Sequence, residues 1–367
     1  MAEPLGLGLV GAGGFGVFCL AAFAEMPEVI VTAVADTDLD RARAAAPPQA
    51  AIYADYRALL DDPNVQIVAI NTPPHLHASM SIQAAQASKH IFVEKPLATT
   101  LDDGLAAVRA AKEANVLLTV DYVLRYHPLH QLAAQIVHSG AFGSFQHFSL
   151  ENFATDETLL RGHWFWDQAQ SGGIHVEHGV HFFDICNHLA SVKPDFTSGC
   201  AQPRADGRVD RVSATVRYGD SALATFFHSF TQIRSIEQTT IQINCARGHL
   251  TVSGWIPTDL TLSGLTDKAG LNTLHRLLGT QLEIMEHFQG PQRRFLHGGT
   301  EDHLVAHIRA HVTAPDRQGD YKRAIQSGLR NLVRAIWKEE ALIVTPEDGL
   351  LSLSVALAAR DSTCGQS

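Results

Sequence analysis

The chain has 367 residues, 46% hydrophobic and 18% charged, the proportions of a folded globular protein with room for two cores. Its 38 acidic against 28 basic side chains leave a formal net charge of −10, which argues against a nucleic-acid surface. Five cysteines (Cys19, Cys186, Cys200, Cys245, Cys364) form neither a disulfide framework nor a CxxC metal motif, no apolar run reaches membrane length, and the N-terminus lacks a signal peptide's basic region and cleavage site, which together point to the cytoplasm.

Leu5–Val10 is an apolar run of strand length, and Gly11-Ala12-Gly13-Gly14-Phe15-Gly16 follows at once. A helical run covers Phe15 to Ala24, and Val29–Ala35 reads as a second strand ending on Asp36. Strand, GxGxxG, helix, strand and an acid about 20 residues on form the dinucleotide-binding fingerprint. Gly11 allows the tight turn, Gly13 lets the backbone approach a pyrophosphate, and Gly16 lets helix and strand pack closely. The helix N-terminus offers free N–H groups and partial positive charge to the phosphates. Asp36 suits the adenosine ribose hydroxyls and repels a 2′-phosphate, so NAD is favoured over NADP, although Arg41 and Arg43 lie nearby. The binding set on this reading is Gly11, Gly13, Gly14, Phe15, Gly16, Asp36 and Thr37.

Strand and helix continue to alternate. Leu39 to Ala46 is helical and stops at Pro47-Pro48, and Val65 to Ile70 has the apolar, β-branched text of a strand buried on both faces. Thr72-Pro73-Pro74 follows, then a helix from His75 to Ala87, a strand at His90–Val93 closing on Glu94-Lys95-Pro96, a helix from Leu101 to Ala114 and a strand from Val116 to Val120. This predicts a doubly wound parallel sheet whose ligands lie beyond the carboxyl ends of the strands. Thr72, Pro73, Glu94, Lys95 and Asp121 fall at those ends and join the cofactor set, with His77 just behind. The pattern changes near Arg125. A helix at Pro128–Ser139, a strand at Phe145–Leu150, an irregular aromatic stretch to Gln170 and a helix from Gly173 to Leu189 come next. Strand-like segments then run from Phe196 to Gly264, the text of an antiparallel sheet. Residues 265–298 are the least legible. Helices are expected at 300–312, 320–338 and 346–359.

Two constellations carry candidate chemistry. Glu94-Lys95-Pro96 sets a carboxylate and an ammonium beside the expected nicotinamide, where a lysine can donate to a hydroxyl becoming an alkoxide. Gly172–Asp184 holds His175, Glu177, His178, His181 and Asp184; in a helix Glu177, His181 and Asp184 share one face. Spacing admits a general base, a metal site or a helix of satisfied histidines. His163, Trp164 and Trp166 form an aromatic segment suited to a sugar's apolar face or to a core. His303, His307 and His311 stripe the predicted helix at 300–312 and read as a solvated or interface face.

The fingerprint with Asp36, Thr72-Pro73 with His77, Glu94-Lys95-Pro96, Arg125-Tyr126 with Pro128, Gly172–Asp184 and the late Ser352–Ala359 helix together resemble the Gfo/Idh/MocA oxidoreductases over nearly the whole chain. The resemblance implies an α/β chain with an N-terminal Rossmann domain, set at 1–124. It implies a C-terminal substrate-binding and oligomerisation domain, set at 125–367, whose large open, mostly antiparallel sheet commonly serves as an oligomer interface; Ala222–Phe227, apolar on both faces, predicts a homodimer or homotetramer through that sheet. It also implies bound NAD(P), a sugar, cyclitol or polyol substrate and no catalytic metal. Lys95 then resembles the catalytic lysine and His181 the proton-transferring histidine. Glu177 stands where many members carry aspartate and would orient His181. Arg125, Tyr126, His163, Trp164 and Trp166 become substrate-pocket candidates, with Trp166-Asp167 replacing a frequent Trp-Arg pair. The expected activity is NAD-dependent oxidation of a secondary hydroxyl. NAD-assisted glycoside cleavage and a non-catalytic NAD-binding regulator stay open beside it.

Overall fold

The structure is a computed structural model describing residues 3–297 and 299–362. Its first part alternates strand and helix: β1 (Leu5–Val10), α1 (Gly14–Phe23), β2 (Val29–Ala35), α2 (Leu39–Ala45), β3 (Ala51–Tyr53), α3 (Tyr56–Leu60), β4 (Ile67–Ile70), α4 (His77–Gln86), β5 (His90–Glu94), α5 (Leu101–Glu113) and β6 (Leu118–Asp121). The six strands form one parallel sheet in the order β3-β2-β1-β4-β5-β6. Every residue of β1, β4 and β6 is buried, as strands covered on both faces require. The short β3 and α3 escaped the sequence reading, since neither is long enough to show a period. Only Asp55, whose side chain accepts the Arg57 N–H and caps α3, marked the place.

After β6 come α6 (Pro128–His138), β7 (Phe145–Thr155) and α7 (Gln168–Ser171). A π-helical turn (His175–Gly179) then runs into α8 (Val180–Leu189). Next are β8 (Phe196–Pro203), β9 (Val209–Tyr218), β10 (Ala222–Gln232), β11 (Gln238–Cys245), β12 (Gly248–Ser253), β13 (Asp259–Thr266) and α9 (Lys268–Leu278). The chain ends through β14 (Leu282–His287), β15 (Arg294–His297), β16 (Thr300–His303), β17 (Ala306–Thr313), α10 (Arg317–Ile336) and α11 (Pro346–Asp361).

These elements sort into two compact units, and a single boundary after residue 124 does not divide them. Among the described residues, the first holds 3–126, Leu159–Asp184 and Tyr321–Arg360; the second holds His127–Thr158, Ile185–Asp320 and 361–362. Burial explains the return to the first unit. α10 buries Ala324, Ile325, Leu329, Leu332 and Val333. Its Gln326 side chain donates to the Ala22 carbonyl at 2.8 Å, and Arg330 pairs with Glu28 at 2.7 Å. Just before α11, the Val344 carbonyl accepts from the Thr119 hydroxyl of β6 at 2.8 Å.

The second unit is built on a nine-stranded sheet in the order β14-β17-β13-β12-β11-β7-β10-β9-β8. Only β7 and β10 pair in parallel, so the sheet is mixed and mostly antiparallel. The stretch Ala222–Phe227, apolar in sequence, still alternates: Ala222, Ala224 and Phe226 are buried and Leu223 is 45% exposed. On the face opposite that core, the register aligns Thr215, Thr225, Ser149, Gln242, Thr251 and Thr261 in one polar row. The helix expected at 300–312 is replaced by β16 and β17. Ala306, Ile308 and Ala310 are buried between the outward His307, Arg309 and His311, a period of two. A four-residue histidine spacing fits one strand face as well as one helix face, so it could not discriminate. His311 instead meets Asp259 at 2.8 Å, and His307 meets Ser263 at 3.1 Å. Residues 265–297 resolve into α9, capped by Asp267 on the Gly270 N–H, and the strands after it, and residue 298 lies outside the described residues. Among the described residues no helix is long and apolar enough to cross a membrane.

Candidate active site

The nucleotide cradle follows from the fingerprint. Gly11 has φ +96° and donates its N–H to Ala35 O at 2.8 Å. A Cβ on Gly16 would sit 1.9 Å from the Gly11 carbonyl oxygen, so no side chain fits there. Gly13 caps α1 without any side-chain hydrogen bond, and a Cβ on Gly13 or Gly14 would meet nothing within 4 Å. The first N–H groups of α1 thus face open space with nothing but backbone in the way, as a pyrophosphate requires. Asp36 accepts from the Ala12 N–H at 2.7 Å on one oxygen and from the Asp38 N–H at 2.8 Å on the other. Its remaining lone pairs suit a ribose diol. Arg41 lies 3.9 Å from Asp36 and 3.4 Å from Asp38, and Arg43 pairs with Asp40 at 2.9 Å. Both arginines, weighed as phosphate ligands, already face acids. Thr37 is exposed beside Asp36, and the Phe15 ring lies 6.3 Å from Phe18 and 6.5 Å from Tyr321. These residues fit NAD.

At the other half of the sheet, Thr72 and Pro73 leave β4, and Glu94 and Asp121 end β5 and β6 as direct neighbours. His77, expected among cofactor contacts, has another task. It is buried, with Nδ1 2.7 Å from the Pro96 carbonyl and Nε2 2.7 Å from the Thr72 carbonyl. Burial, helped by the Lys95 charge, lowers its pKa to about 4 against the two carbonyls. Neutral, it donates to one of these two carbonyls and packs against the other, and so sits between the loop after β4 and the loop that follows Lys95.

Lys95 Nζ donates to the Glu177 carbonyl at 2.9 Å and to its carboxylate Oε1 at 2.5 Å. The two side chains are 13% and 11% exposed, an almost enclosed ion pair. Burial pushes the Glu177 carboxyl up, but Lys95 and His178 outweigh it and leave it below its ordinary value. Burial drives His178 down to about 4, so it is neutral at neutral pH. Glu177 was expected to orient His181; its Oε1 accepts from Lys95. His181 itself is buried on the first turn of α8, its ring 6.2 Å from His178 and 6.4 Å from Phe182.

The π turn explains why the face predicted for Glu177, His181 and Asp184 does not act as one row. Widening by a residue per turn rotates Glu177 relative to the α-helical part. Asp184 accepts from Arg125 Nε at 2.6 Å and from Nη2 at 2.9 Å, and Asp348 lies 3.4 Å from the same guanidinium. Arg125 is therefore consumed inside the first unit and is not a pocket residue. Tyr126 is likewise buried, its hydroxyl 3.3 Å from Asn331. Asp184 was also one ligand of the metal alternative, and among the described residues no group of three or more His, Cys, Asp or Glu could hold a metal. The aromatic segment is mixed. His163 caps Phe165 N at 3.2 Å, lies 5.1 Å from Trp164 and contributes to the field at Glu177, whereas Trp166 donates Nε1–H to Leu159 O at 2.8 Å. Sequence reasoning missed Cys19, Tyr321 and Asp348, which interact with Glu94, Asp121 and Arg125. Each belongs to no short motif, and folding alone brings it there.

Comparison with known proteins agrees with this geometry. An uncharacterized oxidoreductase of Bacillus subtilis, YrbE, is 25% identical over 272 residues, covering 72% of this chain and 78% of its own. Levoglucosan dehydrogenase of Pseudarthrobacter phenanthrenivorans is 32% identical over 201 residues, 51% of each chain. Against that relative, as against most of the curated ones, the match spans about half the length. The crystal structure of an oxidoreductase domain protein from Kribbella flavida superposes with a TM-score of 0.79 at 22% identity, over 99% of this chain and 97% of that one, a likeness of fold. Residues 5–122 match the oxidoreductase family with NAD-binding Rossmann fold, and residues 130–251 match the Gfo/Idh/MocA C-terminal domain. The chain belongs to the Gfo/Idh/MocA family of oxidoreductases.

Proposed function

We propose that this protein is an NAD-dependent dehydrogenase that oxidises, reversibly, a secondary hydroxyl of a sugar, cyclitol or related polyol. The observation that carries the reading is the state of Lys95. Its ammonium has three donors, and two of them point at Glu177. The third is unspent among the described residues, on an amine held by a strand end. Such a group donates to a substrate oxygen and stabilises the negative charge that grows there as the hydroxyl proton leaves. His181 accepts that proton, and neutral His178 beside it adds no competing charge. Glu177 holds Lys95 aimed. When bound, the nicotinamide supplies the hydride acceptor. His163 and Trp164 flank the pocket. A sugar substrate is in keeping with the dehydrogenase named above for levoglucosan.

A panel of sugars, cyclitols and glycosides, with NAD and with NADP, followed at the nicotinamide absorbance, tests this. Reduction of NAD by at least one polyol is expected, with NADP weaker; Asp36→Ala should narrow that preference. Cleavage of a glycoside with no net NADH would instead favour the elimination chemistry left open by the sequence. The second unit's sheet, with exposed Leu223 and the Phe153–Phe227 contact at 5.5 Å, supports assembly into a homodimer or homotetramer. Light scattering that reports a monomer at micromolar concentration rejects that part.

A further inference from the structure

Glu94 and Asp121 are register partners at the ends of adjacent parallel strands, so their side chains leave the sheet on the same side. Asp121 is 1% exposed, and neither of its carboxylate oxygens meets a hydrogen-bond donor among the described residues. Glu94 Oε2 accepts the Lys95 N–H at 3.1 Å. A buried carboxylate without a donor does not keep its charge, and two carboxyls side by side settle by sharing one proton. Burial, then Glu94, holds Asp121 far above the ordinary carboxyl range. Burial raises Glu94 to about 7, with Lys95 opposing and Glu177 adding. The other groups facing the pair are Cys19 of α1, Tyr126 and Tyr321 of α10. Burial raises all three, so they stay neutral near pH 7. The fixed charges are Lys95 and Glu177, which offset each other. The carboxyl pair is therefore the part of this cluster free to answer a new charge.

Its place in the sheet says which charge arrives. In this strand order the half made of β4, β5 and β6 receives the nicotinamide end of a dinucleotide. The oxidised ring is a cation and the reduced ring is neutral. We propose that Glu94 and Asp121 hold one shared proton, and that the pair releases it to solution when the oxidised dinucleotide binds but retains it when the reduced one does. The inference rests on the dehydrogenase reading above. It makes the preference between the two cofactor forms depend on pH, with NAD gaining affinity relative to NADH as pH rises.

The test needs binding and no substrate. Protein in weak buffer with an indicator dye is mixed with NAD or NADH at pH values spanning about one unit either side of neutrality, and both dissociation constants are measured in parallel. Wild type should release a fraction of a proton approaching one with NAD and none with NADH. The ratio of the two dissociation constants should change by up to about tenfold per pH unit. Asp121→Asn takes away the neighbouring carboxyl and gives Glu94 a permanent N–H donor, so Glu94 stays ionised, release should vanish and the ratio should flatten; Glu94→Gln is read the same way if the first variant is unstable. Wild-type binding of NAD without release overturns the inference, and so does undiminished release from a folded Asp121→Asn. If neither dinucleotide binds wild type, the dehydrogenase reading fails and takes this inference with it.

Discussion

Two ion pairs join the end of the parallel sheet to the 159–184 segment, and they are finished differently. Arg125 and Asp184 are 3% and 0% exposed, meet through two N–H···O contacts, and add Asp348 as a third partner. Lys95 and Glu177 are slightly open, and the ammonium keeps a donor in hand. A buried guanidinium enclosed between two carboxylates is a rivet, whereas a partly open ammonium with a donor in hand on a flexible stem is a reagent. Burial and charge alone would have ranked the first pair as the active site. The partly open side of the Lys95 ammonium reverses the order.

The comparison breaks most visibly at Lys95. Lys95→Ala and His181→Ala should each lower kcat by about 10²–10⁴-fold, with NAD affinity nearly unchanged in His181→Ala. The double variant should lose far less than the product, because both groups serve one hydroxyl. Wild-type kcat in Lys95→Ala would make this pair structural as well. The converse test is Arg125→Met, which strands Asp184 in the core. Unfolding by urea should show a loss of about 3–5 kcal/mol, while the fraction still folded turns over normally. A specific kcat defect in that fraction would erase the distinction.

Glu177→Gln sharpens it. A charge-assisted hydrogen bond is worth about 1.5–3 kcal/mol and an amide keeps part of it, so kcat should fall roughly tenfold with little change in stability. Acid gives the smallest and most diagnostic effect. His77 and His178 sit near 4 in the fold against an ordinary 6.5. Their contribution is fully present above 6.5 and declines as pH falls toward 4, by at most about 1.4 kcal/mol per pH unit for each. Burial, opposed by Arg125, raises Asp184 to about 6, so its protonation favours the fold as pH falls. Asp184→Asn should therefore leave the acid decline of the urea midpoint in place or steepen it, and His77→Gln should make it shallower. A decline abolished by Asp184→Asn would mean that the rivet, not the histidines, senses acid.

What could be read beforehand divides along the same line. The cradle around Gly11–Gly16 and Asp36 was legible because backbone does its chemistry, and backbone demands leave glycines at fixed places. Apolar strands bounded by clear turn or helix text, such as β1 and β2, were found to the residue. Lys95, Glu177 and His181 were named, but which acid serves which base was not, since the π turn shifts a register that helix geometry takes as constant. Arg125 looked like a substrate ligand because a sequence shows a charge and hides its partner. Tyr321 and Cys19 had no signal at all, lying at opposite ends of the chain.

The scattered composition of the first unit also has a history in time. As the chain is made, β1 to β6 emerge early, yet Asp184 is added 59 positions after Arg125, and Arg330 302 positions after Glu28. The strands of the second unit are synthesised in between. A ribosome would thus hold a sheet with one flank uncovered through most of elongation, the state in which apolar surface invites chaperones or aggregation. Cofactor affinity should appear late in synthesis, once α10 and α11 have closed over the sheet, and a chain stopped short of them should be lost to quality control rather than linger as a partial enzyme.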